Sequence, residues 1–275
     1  MSHSYSKSEL KEYFCEALDI FNEKLDTDIT EDTVALDFFN GKNNAEVYEK
    51  FCKNRFPKYL SEPYQTDGYF DEIAAQAFVD GKNYGVLICE DIDFTLGGVL
   101  QTFLHEVSHI FCTANEIPGG QFFDKYCMSS GIEYGAINAG YAIWREAVAD
   151  IMADSMLSEM ATMTLNMAKN DVLDYYDMLS SDNPNSKKAM SLIIAYIMIS
   201  QEVATTKDWN RAKKNIKDKI GFSDALMYAV LKQIFDKLHR SPFWEITPDF
   251  ILTLGETYLS LLANKTMKQT LLLEQ

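Results

Sequence analysis

Two histidines four residues apart, with a glutamate directly after the first, stand in Thr102-Phe103-Leu104-His105-Glu106-Val107-Ser108-His109-Ile110-Phe111. On an α-helix, positions i and i+4 share one face, so His105 and His109 can reach a single metal ion together. Neutral imidazole is a favoured zinc ligand, and a catalytic zinc takes three protein ligands and keeps a fourth position for water. Glu106 sits beside the first ligand, placed to take a proton from that water, whose acidity the metal raises. The chain has only four histidines, so two in this arrangement are informative. The competing reading is a helix with two incidental histidines hydrogen-bonded in a core.

The flanking residues agree with a helix. Val99, Leu100, Phe103, Leu104, Val107, Ile110 and Phe111 recur at three- and four-residue steps and form an apolar face, with His105, Glu106 and His109 mainly off it. A third ligand must come from elsewhere. The best candidate is Glu146, in Tyr141-Ala142-Ile143-Trp144-Arg145-Glu146-Ala147-Val148-Ala149-Asp150. Glu146, Ala149, Asp150 and Ala153 share one helical face, and the alanines allow a close approach to the first helix. Asp150, one turn on, can accept the free N–H of a ligating imidazole and so fix its tautomer. In a chain with 41 acidic residues, the bland reading of this pair is a solvated helix face.

Taken together, His105, Glu106, His109, Glu146 and Asp150 resemble the site of the gluzincin zinc metallopeptidases, in which a glutamate on a later helix completes the ligand set. More narrowly, "LHEVSHIF" followed by "WREAVADIMADSML" resembles the ImmA/IrrE type of small metallopeptidase. The span from His109 to Glu146 is longer than is usual in that type. The resemblance implies a zincin-like arrangement, α+β and mainly helical, with a small sheet or hairpin packed on the motif helix. It implies one Zn2+ per chain, a peptide or protein as substrate, and hydrolysis through a zinc-bound water with Glu106 as general base. It also implies an alternative, a regulatory protein that binds or cleaves one specific protein partner with little general peptidase activity. Many gluzincins place a histidine or tyrosine over the metal to stabilise the oxyanion. His239, the one histidine of the C-terminal part, is a candidate for that role; its other reading is a cationic cap at a helix end. Tyr126, Tyr134 and Tyr141 are further candidates, each with a structural role as the alternative.

Length and composition set the limits. At 275 residues the chain suffices for one large domain or two small ones. A hydrophobic content of 47% fits a globular protein, and a net charge of −16 without a basic run argues against nucleic-acid binding. The amino end, MSHSYSKSELKEYF, lacks the apolar core of a secretory signal, and the most apolar run, 189–200, is too short to cross a membrane. Five cysteines without paired spacing suggest reduced thiols. Cys112 follows His109 by three residues, but its apolar neighbours point to packing. The expectation is a cytoplasmic protein.

The elements that must position these groups follow from periodicity and turn chemistry. Helices are expected at 7–25 and 45–55, and a short strand at Val34–Phe39. A hairpin is expected from 74–79 and 84–90 around Asp80-Gly81-Lys82-Asn83, its second strand leading into the motif helix, which Asp93 or Thr95 can cap. In metallopeptidases of this kind such a strand commonly holds extended substrate; the alternative is plain scaffolding. From Thr113 to Gly140 the chain is rich in glycine and reads as a long connection or lid. Beyond Glu146 it is helical, at 151–168, 187–204, 207–218, 223–239 and 248–263. The polar break at 180–186 suggests a metallopeptidase domain over 1–185 and a helical subdomain over 186–275.

Overall fold

The amphipathic run at the amino end forms helix α1 (Lys7–Leu25), and its start is written into the sequence. Ser6 accepts from the Glu9 backbone N–H while the Glu9 carboxylate accepts from the Ser6 N–H, a reciprocal cap. The helix buries Leu10, Phe14, Ala17, Leu18 and Phe21 and ends where Asp26 turns left-handed. The computed structural model describes residues 4–61, 73–91, 95–157 and 247–273. The expected helices at 187–204, 207–218 and 223–239, the break at 180–186 with its domain boundary, Asp93 and His239 lie outside the described residues.

After α1 come strand β1 (Val34–Phe39), helix α2 (Asn44–Arg55) and a 3-10 turn (Pro57–Ser61), then strands β2 (Ala75–Asp80) and β3 (Asn83–Cys89). The chain is thus α+β: helices with one three-stranded sheet of order β1-β3-β2 among the described residues. β2 and β3 make the expected hairpin. Asp80 pairs with Asn83, and Gly81 supplies the positive φ that a two-residue turn needs. β1 lies parallel to β3, a pairing that requires a crossover such as α2. The central position of β3 explains its unbroken apolar run, with Val86, Leu87 and Ile88 fully buried. One face of the sheet carries an aromatic cluster of Tyr48, Phe51, Phe56, Tyr59 and Phe78. Gly85 makes room for it: a Cβ there would stand 2.7–2.8 Å from the Phe51 and Phe56 rings.

Helix α3 (Leu96–Ala114) follows, capped by Thr95, whose hydroxyl accepts from the Gly98 N–H at 3.0 Å. It buries the predicted apolar face and packs on α1 and β2. Phe14 meets Phe103 at 5.2 Å between ring centroids, and Phe21 meets Phe111 at 5.7 Å. Such ring pairs add about 0.5–1.5 kcal/mol each beyond area burial.

The long glycine-rich connection expected from Thr113 to Gly140 is not there. Helix α4 (Gly120–Met128) occupies part of it, and helix α5 (Gly131–Met156) begins a full fifteen residues before Glu146. Gly131 does act as a turn residue, with φ of 60° at the start of α5. Gly140 does something else. A Cβ on it would run into the backbone carbonyl of Ile251 on helix α6 (Pro248–Leu273), and one on Gly255 of α6 would run into the carbonyl of Ala136. These glycines bring two helix backbones together instead of breaking a helix.

The chain groups into two units, Met1–Ile117 with Met152–Met160, and Pro118–Ile151 with Ala161–Gln275. The first contains the sheet, α1 to α3 and the final turn of α5. The second contains α4, the rest of α5, and α6. Among the described residues no helix is long and apolar enough to cross a membrane.

Candidate metal centre

His105 and His109 occupy consecutive turns of α3 as their spacing dictates. Their Nε2 atoms lie 3.0 Å apart, with the rings nearly perpendicular at 87°. Two nitrogens bound at about 2.0–2.1 Å to one tetrahedral ion sit about 3.3 Å from each other, so the observed pair is close to a shared-ligand geometry. Two neutral imidazoles can hold the same spacing only if one donates to the other. Glu106, between them in sequence, is buried with 6% of its surface exposed. The Ser108 hydroxyl is turned back onto the Leu104 carbonyl at 2.7 Å, which keeps it a part of the helix rather than of the site.

The final turns of α5 touch α3 at two points that bracket the histidines. The Gln101 side-chain amide donates to the Asp154 carboxylate at 3.1 Å, and the Cys112 thiol lies 3.9 Å from the Met152 sulfur. Cys112 is therefore a packing residue, as its neighbours suggested. Burial alone pushes its thiol pKa up to about 12, which keeps it protonated at neutral pH and a poor metal ligand. The Gln101–Asp154 contact went unpredicted, yet a signal for it exists. Gln101, His105 and His109 form one i, i+4, i+8 stripe on α3, and Glu146, Asp150 and Asp154 form the corresponding stripe on α5.

Among the described residues one group has the donors for a metal ion. The ligand atoms of His105, His109 and Glu146 all lie within 4.8 Å of one another. Two imidazoles and one carboxylate are a fitting donor set for zinc, and three protein ligands leave a coordination position open. Glu146 also pairs with its neighbour Arg145 at 3.3 Å. That pair is largely solvent-exposed, and a metal ion would compete with it for the carboxylate. Asp150 is half-buried one turn beyond Glu146, on the same face.

The three tyrosines that are candidate oxyanion donors sit in different settings. Tyr141 stacks between Phe122 and Trp144, at 4.9 and 6.1 Å between centroids. Tyr134 is exposed, its hydroxyl 3.0 Å from that of Tyr126, which in turn donates to the Asn138 side-chain carbonyl at 3.0 Å. Either hydroxyl can be the donor in the tyrosine pair. That hydrogen bond, followed by burial, pushes the Tyr126 pKa up to about 12. Donation from Tyr134 to a substrate would first have to break this chain.

No protein-family model matches the chain, and no curated protein or solved structure is significantly similar to it.

Proposed function

We propose that this protein is a zinc-dependent peptidase with a zincin-like site, in which His105, His109 and Glu146 hold the ion and Glu106 is the general base. One observation carries the reading: the three ligand atoms group within 4.8 Å, with a buried glutamate directly after the first of them. Zinc, when bound, supplies a Lewis acid for the scissile carbonyl and lowers the pKa of water. Glu106 takes the proton of the attacking water and delivers it to the departing amine, a shuttle for which one carboxylate suffices. Asp150 orients a ligating imidazole by accepting its second N–H, and so acts as a positioning residue. Tyr141, Tyr134 or His239 stabilises the developing oxyanion. The substrate is an extended peptide or protein segment.

A strand is available to hold such a segment. β2 packs on α3 and forms an edge of the sheet among the described residues. The Ala74 carbonyl accepts from the Cys89 N–H, so positions 74, 76, 78 and 80 face β3 and positions 75, 77 and 79 face outward. The Tyr59 hydroxyl occupies both outward backbone groups of Val79, at 3.0 and 3.2 Å. Main-chain pairing of substrate is therefore confined to Ala75 and Ala77, which gives affinity with modest side-chain selectivity.

Glu106→Gln tests the mechanism. It keeps the shape of the side chain and the metal ligands while removing the base. Zinc content should stay that of the wild type, and hydrolysis of a mixed peptide library should fall by at least about a hundredfold. Hydrolysis at the wild-type rate in this variant contradicts the assignment of Glu106.

A further inference from the structure

The opposite edge of the sheet carries a second feature, unconnected with the metal ligands. β1 has no strand on its outer side among the described residues. The Phe39 carbonyl accepts from the Glu90 N–H at 2.8 Å, so positions 35, 37 and 39 face β3, while Val34, Leu36 and Phe38 present their backbone groups outward. Two of those outward N–H groups are already used. Val34 donates to the Thr30 carbonyl at 3.1 Å and Phe38 to the Asp37 carboxylate at 2.9 Å. What stays open along the edge, among the described residues, is the N–H of Leu36 and the carbonyls of Val34, Leu36 and Phe38.

This edge is not a bare flank. It forms the floor of an open cavity of 460 Å³ with one helix on each side. α1 contributes Lys11 and the ring of Phe14; α2 contributes Lys50, Phe51 and Arg55. The open backbone groups give the donor–acceptor pattern for one more strand, whose side chains would alternate between the two faces of the sheet. The cations of the cavity are the telling part. Lys11, Lys50 and Arg55 make no ion pair among the described residues, although the chain carries a net charge of −16. Two of the three lining acids are engaged locally: Glu31 accepts the Cys15 thiol at 3.2 Å, and Asp37 holds the Phe38 N–H. Asp32 is the third, exposed just before the strand.

We propose that this groove is a docking site for an extended, carboxylate-bearing segment of a partner protein. The segment adds to β1 as a further strand. One of its residues exchanges both backbone hydrogen bonds with Leu36, and its neighbours donate to the Val34 and Phe38 carbonyls. Its acidic side chains reach Lys11 on one wall and Lys50 and Arg55 on the other, while small apolar ones rest on Phe14 and Phe51. Main-chain pairing supplies affinity and the cations supply selection for acidic sequences.

The test uses fluorescence anisotropy with the full chain and a fluorescein-labelled decapeptide of alternating Glu and Val. Controls are a Lys/Val peptide of the same pattern and a Glu/Val peptide N-methylated at alternate residues. The variant K11E/K50E/R55E changes three exposed side chains, and circular dichroism checks its fold. The Glu/Val peptide should bind the wild type, the triple variant should weaken it by at least about tenfold, and both control peptides should bind at least about tenfold more weakly. Absence of Glu/Val binding overturns the proposal, as does binding that survives the triple substitution. Equal binding of the N-methylated peptide overturns the strand pairing.

Discussion

Helices α3 and α5 each carry part of one candidate site, and they are built in opposite ways. α3 follows local rules throughout: a threonine cap at Thr95, an apolar stripe at helical spacing, and the polar stripe of Gln101, His105 and His109 beside it. α5 breaks the local rules. It contains Gly131, Gly135 and Gly140, has no single apolar stripe, and buries residues around much of its circumference, among them Ile137, Ile143, Trp144, Val148 and Met152. Its helical state is decided by what it packs against, chiefly the close backbone crossing with α6 at Gly140 and Gly255. A motif helix can be specified by its own residues, whereas the helix bearing Glu146 depends on partners distant in sequence.

Single substitutions sharpen this contrast. The largest effect is expected at Gly140. Alanine there gains helix propensity, but its Cβ meets the Ile251 backbone, which no rotamer change can relieve. Gly140→Ala should destabilise the protein by about 1–3 kcal/mol, read as a lowered thermal midpoint. A neutral or stabilising result would contradict the close crossing of α5 and α6. Thr95→Ala removes the cap of α3 and should cost about 1 kcal/mol in the same measurement. Gly135→Ala is the control within α5. Nothing lies within 4 Å of the added Cβ, so the substitution should raise stability by up to about 1 kcal/mol. If Gly135→Ala and Gly140→Ala shift the midpoint equally, glycine in α5 has no positional meaning.

The same distinction explains what the sequence revealed and what it hid. α1, β1, α2, the hairpin and the Thr95 cap were all readable, because period, capping and turn residues act within a few positions. The His105, Glu106 and His109 triplet was readable for the same reason. The stretch before Gly140 reads as a connection because glycine serves both turns and close helix contacts, and only the partner helix tells them apart. The parallel pairing of β1 with β3 was hidden too, since it depends on contacts some fifty residues apart (Val34 opposite Tyr84). So was the Tyr59 hydroxyl bonded to Val79, twenty residues away. Glu146 falls between these cases: its helix face and its candidacy as the third ligand were readable, whereas its closeness to the histidines depends on contacts between residues far apart in sequence.

In the proposed site, three side chains from these two differently built helices share one zinc ion. Elemental analysis of metal content tests this most directly, on protein purified without added metal or chelator, comparing the wild type with His105→Ala and Glu146→Ala. About one zinc per chain is expected in the wild type, the ion completing the three-ligand site, and both variants should lose it. Zinc retained in Glu146→Ala, or no zinc in the wild type even after it is supplied, would contradict the proposed site.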